Sequence, residues 1–133
     1  MKYMLIIVGT EGDGQGEMSP EQMREAMSAW SDYGTELVEA GAFLAGEGLQ
    51  PSATATTVLR AGDDERIVSD GPFAETKDQV GGFYLLECAN LDEALEWAKK
   101  TPVSPGNSVE VRPVMDYGDY GYEDPNQAKA AAS

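Results

Sequence analysis

The chain contains no histidine, a single cysteine and only nine basic residues in 133. Without histidine it lacks the side chain that most readily moves a proton near neutral pH. It also lacks the usual ligands of zinc, since only acids remain once Cys88 is set aside. A lone Cys88 can form no internal disulfide, and with no basic neighbour in sequence to lower its pKa it reads as a buried, inert thiol. No run approaches the roughly 20 apolar residues of a membrane-spanning helix. Met1–Gly9 is too short for a secretory signal with its cleavage site, so a cytoplasmic protein is expected. Against the nine bases stand 24 acids, a net charge of −15. The C-terminal tail is not the source, because it adds only Asp119, Glu123 and Asp124 against Lys129. A field of this sign repels phosphate backbones and anionic lipid heads, which argues against nucleic-acid and membrane partners. Asp63-Asp64-Glu65 lacks the alternating oxygen ligands of a calcium loop. The glycines of Gly9–Gly16 lack the lysine and the strand–helix setting of a phosphate loop. Neither a metal nor any other cofactor is expected.

What is present is one domain's worth of alternating elements, with 41% apolar residues. Residues 2–8 form a continuous apolar run, a strand. Ser19-Pro20-Glu21-Gln22 is a helix start with the makings of a capping box. Met23, Met27, Trp30, Gly34, Leu37 and Val38 then recur at helical spacing until Gly41 supplies a stop. Short strands are expected over 42–49, 54–60, 65–68 and 80–88, the middle two joined as a hairpin across Ala61–Asp64. Asn90 opens a second helix over 91–100, and 108–115 alternate as a last strand in which Pro113 marks an edge or an end. The order β-α-β-β-β-β-α-β predicts an α+β, ferredoxin-like plan enlarged by a β-hairpin, over residues 1–116.

Two helices can cover one face of such a sheet. Yet residues 3–8 and Phe83-Tyr84-Leu85-Leu86 are apolar on both faces. A second copy packed sheet to sheet would cover the other face, so a homodimer with an intersubunit cleft is expected. In the tail, 117–133, Tyr117, Tyr120 and Tyr122 alternate with glycine and are natural anchors, with a partner subunit as the favoured object of the strap.

Several blocks occur in a telling order: Gly46-Glu47-Gly48-Leu49-Gln50-Pro51, Asp70-Gly71-Pro72-Phe73-Ala74-Glu75-Thr76-Lys77, Gly81-Gly82-Phe83-Tyr84, Leu91-Asp92-Glu93-Ala94 and Val109-Glu110-Val111-Arg112-Pro113. The series resembles the DGPF branch of the YCII-related family, over about residues 2–115. The resemblance implies a ferredoxin-like domain that forms a dimeric α/β barrel. It implies little about activity. Some shorter members are proposed to use a histidine–acid pair, and genes of DGPF-type relatives often neighbour alternative sigma factors. The register places the histidine of those shorter members near Trp30, and tryptophan cannot accept a proton. Glu39 is no substitute acid partner, since helical period sets it on the opposite side from Trp30.

The residues themselves offer two carboxylates. An aspartate commonly bonds the amide two residues on, but after Asp70 that residue is Pro72, which has no N–H. Its carboxylate must bond the Phe73 amide, another group or a ligand. Glu47, between glycines, sits where a ligand or another backbone can approach closely. Its expected ion-pair partners are Lys77 and Arg112, which are secondary candidates as ligand clamps. Trp30, Tyr33, Phe73 and Tyr84 could line an apolar pocket, though aromatics at core spacing more often form plain core. The leading expectation is a homodimer whose cleft binds a small molecule, with acid/base chemistry on Asp70 assisted by Glu47. The alternative is a non-catalytic interaction protein linked to transcriptional control, with Asp70 only fixing a bend.

Overall fold

The computed structural model describes residues 1–10, 19–74 and 76–126. Most of the expected Gly9–Gly16 loop, Glu75 and the end of the tail lie outside them. In chain order come β1 (Lys2–Thr10), α1 (Pro20–Glu39), β2 (Phe43–Gly48), β3 (Thr56–Arg60), β4 (Arg66–Asp70), β5 (Asp78–Glu87), α2 (Leu91–Lys99) and β6 (Ser108–Pro113). Short 3-10 turns occupy Ser52–Thr54 and Tyr117–Tyr120. Four strands form an antiparallel sheet in the order β2-β5-β1-β6, and β3 and β4 pair separately as a ribbon. The fold is α+β.

The ends of α1 follow from its sequence. Ser19 accepts a hydrogen bond from the Gln22 amide while the Gln22 side chain accepts one from the Ser19 amide, and Pro20 occupies the first turn. Gly41, at φ +73°, reverses the chain immediately after the helix. The buried ridge is narrower than the apolar spacing suggests. Tyr33 and Leu37 are buried and Trp30 packs beside them, whereas Met23, Met27 and Val38 are exposed. Placing those three on the inner stripe is therefore corrected. A 20-residue helix spans about 30 Å, and its buried residues fall only in its second half.

Both helices lie on one face of the sheet, because the Tyr33 hydroxyl on α1 donates to the Trp97 carbonyl on α2 at 2.9 Å. Beneath them Tyr3 and Leu5 of β1, Leu86 of β5, Cys88, Ala42 and Ala94 complete the core with Tyr33 and Leu37. Leu5, Leu37 and Leu86 are fully buried.

Close approach explains two of the glycines. A Cβ on Gly46 would lie 2.8 Å from the Tyr84 ring, and one on Gly82 would lie 2.7 Å from the Glu47 carbonyl oxygen. The first leaves room for an aromatic ring, and the second lets β2 draw up against β5.

The other face of the sheet carries Met4, Ile6 and Val8 of β1, paired across to Leu85, Phe83 and Val80 of β5. Gly81 is the extra residue of a bulge that keeps Val80 on this face, since Ile7 pairs with Gly82 and Val8 with Val80. None of these six belongs to the helix-side core. Val80 is exposed and the other five are partly buried. The β3–β4 ribbon repeats the pattern. Val58 faces Val68 and Leu59 faces Ile67, so apolar pairs occupy both sides of it, and all four side chains are exposed.

Candidate functional site

The aromatic candidates divide between two places. Trp30 and Tyr84 stack with centroids 6.0 Å apart, and Tyr33 meets both rings edge-on at 6.0 and 5.3 Å. Trp97 and Phe43 extend the group at 6.2 and 6.4 Å. This cluster lies between α1 and the sheet. Phe73 is not part of it, and is 90% exposed on the loop after β4. Phe43 and Trp97 were not among the sequence candidates. The signal for them was slight, because each is a single ring at the start of a strand or inside a short helix.

Burial has an electrostatic consequence. It pushes the Tyr33 hydroxyl well above its ordinary range, with neighbouring Tyr84, Cys88 and Glu36 adding to the effect, and pushes Tyr84 up as well. It also raises the Cys88 thiol, with help from Glu93 and Glu87 and against the opposing N-terminus. Cys88 is therefore poorly set to act as a thiolate nucleophile. In the unfolded chain tyrosine ionises near pH 10 (roughly its reference value) while native Tyr33 keeps its proton. Above that pH the unfolded state binds fewer protons, so stability is fully present below it and falls as pH rises. Tyr33→Phe should cost about 1 kcal/mol at pH 8 through the lost bond to Trp97. The gap from wild type should narrow at pH 10.5 and above, as read from urea midpoints at the two pH values.

The polar candidates stand apart from that cluster and from one another. Asp70 closes β4, paired with Thr56, and is exposed. Among the described residues its carboxylate has no hydrogen-bond or ion-pair partner. The bend that follows is held without it. The Gly71 amide donates to the Ala55 carbonyl at 2.7 Å, the Thr57 hydroxyl donates to the Gly71 carbonyl at 2.7 Å, and Gly71 itself has φ +101°. Of the partners left open for Asp70, the Phe73 amide is not engaged, since it donates no hydrogen bond to the Asp70 carboxylate.

Glu47 pairs opposite Phe83, which places it on the sheet face away from the helices. Arg112 pairs opposite Met4 on that same face, but from β6. Because β2 and β6 are the two outer strands, the width of the sheet separates them. The ion pairs expected of Glu47 with Lys77 or Arg112 are absent among the described residues. Glu110, opposite Ile6, joins Arg112 on the β6 side. The helix-free face thus has an apolar floor of Met4, Ile6, Phe83 and Leu85, with a carboxylate at one edge and an acid and a base at the other.

The tail forms an open surface groove of about 570 Å³ lined by Met115, Tyr117, Tyr120, Tyr122, Glu123 and Pro125. The tyrosine–glycine alternation marks these rings as anchors, but nothing in its spacing reveals that they border a groove. Among the described residues no group of three metal-ligating side chains comes together, and no helix is long and apolar enough to cross a membrane.

Comparison with known proteins adds two findings. A family model described as YCII-related domain matches residues 1–118. An uncharacterized protein of Rhizobium meliloti (strain 1021) is 45% identical over 101 residues, covering 74% of this chain and 81% of that protein.

Proposed function

The chain belongs to the YCII-related family, and from that premise we propose that it works as a homodimer whose two helix-free sheet faces meet and bind a small organic molecule between them. The order β2-β5-β1-β6 with both helices on one side supports a ferredoxin-like unit, and two such units closed face to face make a dimeric α/β barrel. One observation carries the proposal. Met4, Ile6, Phe83 and Leu85 form an apolar floor on the face opposite α1 and α2. The exposed Val58–Val68 and Leu59–Ile67 pairs of the ribbon favour the same association, since an isolated two-stranded hairpin is marginal in water.

In this reading the apolar floor takes the body of the ligand. Glu47, Glu110 and Arg112 offer polar groups at its edges, and Asp70 and Lys77 stand at the two ends of the loop that joins β4 to β5. Asp70 is the general acid or base and Glu47 assists it. No metal, nucleic acid or membrane is required. The rival reading is an interaction module without catalysis, and Phe73, at 90% exposure, is the observation that favours it.

Thermal-shift measurements with a panel of small amines, phenols and carboxylic acids separate the two. Asp70→Ala should leave the ligand-free Tm within about 2 °C of wild type, because a surface change of this kind stays within roughly ±0.5 kcal/mol. Compounds that raise the wild-type Tm should fail to raise that of the variant. If no compound shifts the wild type, or if wild type and Asp70→Ala respond alike, the interaction reading replaces the ligand-binding one.

A further inference from the structure

The side chains around the tail groove stay largely open to solvent within one chain. Tyr117, Tyr120 and Tyr122 remain 39%, 67% and 72% exposed, and Met115 60%. Among the described residues none of the three tyrosines makes a side-chain hydrogen bond or packs on another ring. The segment is held by other means. The Asp116 carboxylate accepts from the Gly118 amide at 2.9 Å, and the Tyr122 amide donates to the Tyr117 carbonyl at 3.0 Å. Gly121 turns the chain at φ +76°, and Asp124 ties it back to Lys2 by a 3.2 Å ion pair. The rings are thus held apart around a space instead of collapsing into a core.

The chemistry of the lining narrows the occupant. Three electron-rich aromatic faces, a methionine and a proline supply an apolar wall, and Glu123 is the one charged side chain among them. Among the described residues its carboxylate has no partner and no basic side chain lines the groove. Asp116 and Asp124 are already engaged. A wall of this composition disfavours an anion. It favours a cation with an apolar surface, because aromatic faces attract positive charge through their quadrupole and methylated ammonium groups are weakly hydrated. The volume, about 570 Å³, falls in the range of small-molecule sites and leaves room for a substituent beyond the head group. We propose that Met115, Tyr117, Tyr120, Tyr122 and Glu123 form a binding site for a quaternary-ammonium compound. All six lining residues come from one chain, and four of them, Tyr120, Tyr122, Glu123 and Pro125, lie beyond the end of the family match.

The test compares choline with 3,3-dimethylbutan-1-ol, its uncharged isostere, by NMR titration of the full-length protein. Choline should bind roughly ten-fold more tightly than the alcohol, the factor expected of a cation over partly desolvated rings. Tyr120→Ala and Tyr122→Ala should each weaken choline at least five-fold, Tyr120→Phe should retain it, and Glu123→Gln should weaken it about three-fold. Circular dichroism should be unchanged throughout, because these side chains make no packing contact with the core. Equal binding of choline and the alcohol overturns the proposal, as does wild-type affinity in both alanine variants or no saturation by choline at 100 mM. Sedimentation of the same samples keeps this outcome separate from the sheet-face reading. A dimer that ignores choline overturns only the tail site.

Discussion

Leu86→Ala should lower the unfolding free energy by about 2–5 kcal/mol. Leu86 is fully buried, pairs opposite Tyr3 in the middle of the sheet, and sits in the same core cluster as Leu5 and Leu37. Truncation removes apolar surface from the core. It also leaves a void bounded by two β-strands and α1 that the surroundings can only partly fill, because a paired central strand cannot shift inward without breaking its ladder. A domain of this size has roughly 5–15 kcal/mol in total, so the variant should lose a large part of its stability. Urea titration monitored by tryptophan fluorescence measures the change, since Trp30 and Trp97 both border this core. A loss below about 1 kcal/mol would mean that the helix-side core is not where the fold is held.

Phe83→Glu should have the opposite profile, with little effect on the folding of one chain and a large effect on association. Phe83 lies one residue from Tyr84 and therefore points to the helix-free face, opposite Ile6. In a face-to-face dimer the substitution buries a carboxylate from each copy in an apolar interface, which costs several kcal/mol per charge. The dimer dissociation constant should rise at least a hundred-fold, read by sedimentation velocity across a dilution series. The separated chain should keep its far-UV circular dichroism, because the helix-side core is untouched. A variant that stays dimeric, with an unchanged constant, would remove this face from the interface.

The elements were plain in the sequence wherever a local chemical rule fixed them. Ser19 and Gln22 predict their reciprocal cap, and Gly41 the helix stop. The inner stripe of α1 was less plain. Met23 and Met27 have the right spacing, but spacing cannot say how much of a long helix the sheet reaches. The candidate site was the least legible part. Asp70 was singled out because Pro72 denies it the usual partner, and among the described residues its carboxylate meets neither the Phe73 amide nor another side chain. Sequence reasoning also paired Glu47 with Arg112, which strand order sets on opposite edges of the sheet. Strand order depends on long-range pairing, and no local pattern around either residue encodes it. The tail groove was hidden for a related reason. Alternating tyrosine and glycine signals anchoring rings, but whether they collapse or stand apart depends on the turn at Gly121 and the tie between Asp124 and Lys2.

The most direct test is the mass of the wild-type protein in solution by sedimentation equilibrium at micromolar concentration. Two chains closed over the Met4, Ile6, Phe83 and Leu85 floor should give twice the single-chain mass of 14.2 kDa. A mass of one chain, unchanged as concentration rises, would contradict the shared chamber and the roles given to Asp70 and Glu47 within it.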